Sequence, residues 1–152
     1  MTTEQLNASL EYIAGVDATL SSNVATAALE KLSKIGLKCD IESEDLFLLT
    51  LSMQSMRQRI CNECNVSEVP EGLFYVYVDM TIGDYLNTLY CMGKLDIQTL
   101  DLQGLISSVD LGDASVSFSN NTNELSADAK FRLLVESLRK GRDFACYRKL
   151  KW

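Results

Sequence analysis

Residues 44–64, EDLFLLTLSMQSMRQRICNEC, decide the fold class of this chain. Their apolar side chains recur every three or four residues, which is the period of an amphipathic helix. The resulting apolar stripe consists of Leu46, Leu49, Met53, Met56, Ile60 and Cys64. Gln54, Arg57, Gln58 and Glu63 lie off this stripe, so the pattern predicts one long helix with a single apolar stripe.

The next segment, residues 70–93, predicts a second helix that is buried on more than one side. Pro70 suits a first helical turn, where its missing N–H would have no partner. Apolar residues surround much of the segment instead of forming one stripe. We expect Gly83 to allow a neighbouring element to approach closely, and Gly93 to end the helix.

Upstream, residues 3–36 predict one or two further helices. Apolar residues recur at helical spacing on both sides of an interruption near Gly15 and Asp17. Gly36 is a plausible stop after the last turn. Ser43, in the acidic linker that follows, is a candidate N-cap for the long helix.

Downstream, the pattern predicts a short helix from about Asp101 and a last helix with the stripe Leu125, Ala129, Leu133, Leu134 and Leu138. Between them, apolar residues alternate with serine, which predicts a short strand or hairpin near residues 112–119. The predicted fold is therefore mainly α, a bundle of four to five helices with an extended C-terminal tail. We expect one domain over residues 1–152, with an N-terminal segment (1–40), a helical core (44–124) and a C-terminal helix and tail (125–152).

The composition disfavours most enzyme classes. The chain has no histidine, the commonest general base and metal ligand. It also lacks the glycine-rich phosphate-binding motifs and the GxSxG nucleophile motif. Asp79 and Asp84 are candidate catalytic carboxylates, but a spacing of five residues does not place them on one helix face. We therefore predict no enzymatic activity, no metal and no cofactor.

The location of the protein is also constrained by the sequence. No apolar run approaches the roughly 18 residues of a membrane span. The first residues show neither the basic nor the apolar part of a signal peptide. The five cysteines are an odd number, which favours reduced thiols in a cytosolic setting.

One pair of cysteines, Cys61 and Cys64, forms a CxxC motif. Half of a zinc site or a redox pair would have this spacing. No second pair is present, and a zinc site needs about four ligands. Two small apolar side chains on one helix face explain the spacing equally well, and we favour that structural interpretation.

Charge is distributed very unevenly along the chain, whose net charge is −7. Residues 130–152 hold eight basic and two acidic residues, a charge of +6, whereas residues 1–129 hold six basic and nineteen acidic residues, a charge of −13. An acidic body repels nucleic acid. The basic region can contact phosphate or an acidic protein surface, or it can be a solvated helix end that suits the helix dipole.

The order of four segments resembles the head–tail connector (adaptor) proteins of tailed bacteriophages and of phage-like elements in Gram-positive bacteria. These segments are CNECNVSEVPEGL (61–73), YVDMTIGDYL (77–86), ISSVDLGDASVSF (106–118) and YRKLKW (147–152). The resemblance covers roughly residues 44–152, and the N-terminal 40 residues fall outside it. It implies a small helical protein that forms a dodecameric ring under the portal.

The resemblance also implies partners and a location. Such a ring extends the DNA channel, lets the genome pass without specific binding, and recruits a neck or tail-completion protein. The protein is then made in the bacterial cytoplasm and resides in the virion neck, with no membrane contact. Its expected partner-binding residues are Leu125, Leu133, Leu138, Arg139, Arg142, Tyr147, Arg148, Leu150 and Trp152. Its expected subunit contacts are Ser115, Val116 and Phe118.

A different class of function remains open at this point. A cytosolic helical regulatory or interaction protein would use the CxxC motif as a redox or zinc-linked switch. Its zinc content would distinguish it from a connector.

Overall fold

The computed structural model describes residues 1–42, 44–108, 126–141 and 144–150. These residues form six α-helices: α1 (Thr3–Val16), α2 (Ser22–Lys34), α3 (Asp45–Cys64), α4 (Phe74–Cys91), α5 (Leu102–Ser108) and α6 (Ala127–Lys140). Single 3-10 turns lie at Glu71–Leu73, Ile97–Thr99 and Ala145–Tyr147. The mainly α prediction is confirmed, but the described residues form six helices instead of the predicted four to five. None of the described residues is in a strand, and the predicted strand near 112–119 lies outside them.

The N-terminal helices begin and end where local chemistry predicts. At the start of α1, Thr2 and Gln5 form a reciprocal capping box, in which each backbone N–H donates to the other residue's side chain. The predicted interruption separates α1 from α2. Gly36 adopts a φ of +94° just after α2, as expected for a glycine stop.

The pair formed by α3 and α4 makes the centre of the bundle. All six residues of the predicted α3 stripe are buried, which confirms the stripe. α4 packs against α2, α3 and α6 and is buried along most of its length, from Tyr77 to Leu89. A Cβ at Gly83 would lie 2.6 Å from the Cβ of Leu138 on α6, so the predicted close approach is confirmed.

Helix α6 packs on α4 through a face that differs from the predicted stripe. Its buried residues are Phe131, Leu134, Val135 and Leu138. Leu133 is 44% exposed, so its assignment to the buried stripe was wrong. The contact between Gly83 of α4 and Leu138 turns the face that carries Leu134 and Leu138 toward α4. Leu133 lies about 100° around the helix from Leu134 and therefore points away from α4.

Polar side chains connect the central helices. Lys31 of α2 pairs with buried Asp79 of α4 at 2.8 Å. The Tyr77 hydroxyl donates to the carbonyl of Met53 at 2.8 Å, which ties α4 to α3. Asp84 pairs instead with Arg139 of α6 at 3.3 Å. Asp79 and Asp84 therefore face different helices.

Candidate partner-binding site

The described end of the chain, residues 144–150, crosses from α6 to the end of α3; we call it the C-terminal segment. Phe144 is buried in the core. The Lys149 N–H donates to the carbonyl of Cys64 at 2.8 Å, and the Arg148 Nε donates to the carbonyl of Glu63 at 3.0 Å. Helix ends leave such carbonyls without partners inside the helix. The C-terminal segment thus supplies partners for the last turn of α3.

Asn65 also holds the C-terminal segment in place. It is the C-cap of α3, with a φ of +58°, the left-handed conformation that asparagine tolerates better than most residues. Its side-chain amide donates to the carbonyl of Lys149 at 2.9 Å. The residue that ends α3 therefore also fixes the backbone of the tail. Asn65 was not among the expected partner-binding residues.

Tyr147 rests on the turn that precedes α4. A Cβ added at Gly72 would overlap the Tyr147 ring, so only glycine leaves room for the ring there. Tyr147 is nevertheless 37% exposed. The Pro70-Glu71-Gly72 turn thus positions an aromatic side chain at the surface.

The structure places the expected partner-binding residues in different environments. Leu150 is 71% exposed, and Arg148 and Leu133 are also exposed. Leu138 lies inside the subunit core, so it does not belong to this surface. The remaining expected contacts, Leu125, Arg142, Trp152, Ser115, Val116 and Phe118, lie outside the described residues.

Arg139 is engaged within the subunit by its pairing with Asp84. It lines a groove of about 640 Å³ between α4 and α6. The guanidinium of Arg59, on α3, donates to the carbonyls of Arg139 and Lys140 at 2.5 and 3.4 Å and so caps the end of α6. Arg132, also in this groove, lies over the Tyr90 ring at 5.6 Å and pairs with Asp128. These contacts give the basic residues of the groove structural roles.

The CxxC pair is buried at the end of α3. Cys61 and Cys64 both face the interior, and burial raises the pKa of the Cys64 thiol. A raised pKa disfavours the thiolate that metal binding and disulfide exchange need. Within the described parts of the chain, no group of three or more histidine, cysteine or carboxylate side chains is placed to hold a metal ion.

A third buried thiol, that of Cys39, lies near the start of α3. Cys39 donates to the hydroxyl of Tyr85 at 3.4 Å, and burial raises its pKa to about 11. This thiol is therefore protonated at neutral pH. Cys91 and Cys146 are exposed.

The helices of the described residues do not include one that is both long and apolar enough to span a membrane. Comparison with known proteins finds no matching family model, no similar curated protein and no similar solved structure.

Proposed function

We propose that this chain is a structural connector, a subunit of a ring that docks under the portal of a phage or phage-like particle. Three observations support the proposal. The order of segments resembles that of head–tail connectors, and the mainly α fold agrees with such a protein. The observation that carries most weight is the C-terminal segment, whose backbone is held by α3 while the side chains of Lys149 and Leu150 are exposed.

The C-terminal segment has the properties of a protein anchor. Tyr147, Arg148 and Leu150 combine aromatic, guanidinium and aliphatic groups on an exposed strip. Tyrosine and arginine are enriched among the residues that dominate binding energies. Because Asn65 and the end of α3 already order the backbone, binding loses less conformational entropy than it would with a free tail.

The acidic body also suits a ring around DNA. Residues 1–129 carry a charge of −13. Negative walls avoid the phosphate contacts that produce tight, salt-dependent binding. In this proposal the genome slides through the ring without being held.

The alternative, a regulator with a zinc-linked or redox-active CxxC, receives less support because both thiols are buried. We expect the double variant Cys61→Ala with Cys64→Ala to lose stability through lost packing and to leave metal content unchanged. Metal analysis of the native and variant proteins is the measurement. Stoichiometric zinc in the native protein that disappears in the variant would favour the regulator.

Co-sedimentation with phage heads tests the connector proposal. The chain is mixed with portal-bearing heads of the phage or element that encodes it, and with heads that lack the portal. We expect binding only to portal-bearing heads. Deletion of residues 147–152 should abolish that binding while the helical circular dichroism signal is kept. If the intact chain fails to bind portal-bearing heads, the proposal is wrong.

A matched control uses another exposed apolar residue. Met92 lies at the opposite end of α4 from the C-terminal segment and is exposed. Met92→Ser should leave binding to heads unchanged. Equal losses in the Met92 variant and the deletion would show that the C-terminal segment has no special role.

A further inference from the structure

An open groove lies between the first turns of α1 and residues 37–42; we call it the acidic groove. Its volume is about 770 Å³, which is within the range of ligand clefts. Ala8, Leu37 and Ile41 give it an apolar lining, and Ile41 is 42% exposed. Its charged groups are the carboxylates of Glu4, Asp40 and Glu42, the ammonium of Lys38 and the amino terminus of Met1, so carboxylates outnumber cations by one. The acidic groove therefore suits an apolar segment that carries positive charge.

The C-terminal segment has this chemistry. Arg148 and Lys149 lie between the apolar residues Tyr147 and Leu150, and the sequence continues with Lys151 and Trp152. The side chains of Lys149 and Leu150 are exposed. The segment is complementary to the acidic groove in both charge and polarity.

The two surfaces lie at opposite ends of α3. Residues 37–42 of the acidic groove precede the first residue of α3, Asp45, whereas the C-terminal segment binds the carbonyls of Glu63 and Cys64 at its last turn. A helix of 20 residues spans about 30 Å at 1.5 Å per residue. In its observed position, the C-terminal segment is therefore too far away to enter the groove of its own chain.

We propose that the acidic groove binds the C-terminal segment of a second copy of this chain. The two surfaces differ, so the contact is head-to-tail, and repetition of such a contact gives a closed ring or an open filament. The proposal is argued from the charges and positions of these residues; if the chain is a connector, this contact joins neighbouring subunits of the ring.

Salt dependence follows from the charges involved. Exposed ion pairs are screened beyond the Debye length, which is about 30 Å at 0.01 M salt and about 8 Å at 0.15 M. Glu63, whose carbonyl accepts from Arg148, and Glu71, which precedes the Gly72 that meets the Tyr147 ring, lie near the C-terminal segment, so that end of the molecule is mixed in charge and the attraction is local. We therefore expect association at low salt that weakens strongly at physiological salt.

Complementation between two variants tests the proposal. The groove variant carries Glu4→Lys and Glu42→Lys, and the tail variant carries Lys149→Ser and Leu150→Ser. Sedimentation velocity at low salt should show oligomers for the native chain and only monomers for each variant alone. A mixture of the two variants should form a 1:1 dimer and nothing larger, because only one groove and one tail remain intact. This dimer is the signature of a head-to-tail contact.

Charge-matched controls exclude a general effect of net charge. Glu11→Lys with Glu30→Lys matches the groove variant, and Lys140→Ser with Met92→Ser matches the tail variant. All four control residues are exposed and lie outside the acidic groove and the C-terminal segment. Both controls should associate like the native chain. Circular dichroism confirms that every variant is folded.

Several results would overturn the proposal. A native chain that stays monomeric at low salt, a groove variant that still associates, or a mixture that stays monomeric would each do so. If the native chain is monomeric yet binds portal-bearing heads, the self-association proposal is wrong and the connector proposal stands. If it associates head-to-tail but binds no heads, the connector proposal is the one that fails.

Discussion

Helix α4 and the C-terminal segment both contact α3, but α4 does so mainly through buried side chains and the C-terminal segment mainly through backbone hydrogen bonds. α4 buries side chains from Tyr77 to Leu89 against three helices, and its backbone bonds stay within the helix. The C-terminal segment is attached by backbone hydrogen bonds at Lys149, while the Leu150 side chain faces solvent. The difference shows that α4 stabilises the fold through its side chains, whereas the C-terminal segment is held by its backbone and leaves the side chains of Lys149 and Leu150 exposed.

The largest expected effect concerns the helix that covers α4. Phe131 of α6 is 1% exposed, and its ring centre lies 5.2 Å from that of Tyr90. Phe131→Ala should lower the free energy of unfolding by about 3–5 kcal/mol, because it removes buried area and leaves a cavity. Leu133→Ala, two residues along the same helix but exposed, should change it by at most about 0.5 kcal/mol. Chemical denaturation measures both, and equal losses would contradict the assignment of the α6 faces.

Alanine substitutions at two glycines, Gly83 in α4 and Gly15 in α1, should change the stability in opposite directions. Gly83→Ala adds a Cβ that lies 2.6 Å from Leu138 and 3.0 Å from the Arg139 nitrogen, so we expect a loss of about 1–3 kcal/mol from overpacking. At Gly15, in the last turns of α1, nothing lies within 4 Å of the added atom. Gly15→Ala should therefore raise stability by about 0.5–1 kcal/mol. Stabilisation by Gly83→Ala in thermal melts would show that α4 and α6 pack less closely than described.

A smaller effect is expected where α3 holds the C-terminal segment. Asn65→Gly keeps the left-handed conformation but removes the amide that donates to the Lys149 carbonyl. We expect a loss of about 1 kcal/mol, typical of one hydrogen bond, and faster hydrogen exchange at the Lys149 amide. Exchange at amides in α4 should be unchanged. An unchanged Lys149 amide would mean that Asn65 does not hold the segment.

The smallest effect is expected for the exposed side chain of the C-terminal segment. Leu150→Ser should change the unfolding free energy of the isolated subunit by at most about 0.5 kcal/mol, because the side chain is already in solvent. Thermal melting of the purified subunit is the measurement. A clear loss of stability would place Leu150 in an intramolecular contact and would weaken its assignment to a partner.

Much of the bundle can be predicted from local patterns in the sequence. The stripe from Leu46 to Cys64 predicted both the extent of α3 and its buried face. The glycines near helix ends predicted where α2 and α4 stop, since Gly36 and Gly93 both adopt positive φ. These features depend on residues within one or two turns of each other, and helical periodicity and capping are local properties.

The candidate sites were harder to predict from local patterns in the sequence. Tyr147, Arg148 and Leu150 were expected at a partner surface from the resemblance to connector proteins, and the structure leaves them at least partly exposed. Leu138 and Arg139 were expected to contact a partner. In the structure, Leu138 is buried in the core and Arg139 pairs with Asp84. The acidic groove was not anticipated, since its carboxylates come from two separate segments.

The sequence by itself determined the helices, their ends and the division into an acidic body and a basic end. Only the tertiary structure decided that Leu133 faces outward, that Asn65 holds Lys149, and that the acidic groove and the C-terminal segment lie at opposite ends of α3. The physical reason is that these features join residues far apart in sequence, such as Asn65 and Lys149. Which of them meet depends on how close Gly83 lets α6 approach α4 and on how the chain then returns to α3, and no local pattern encodes either.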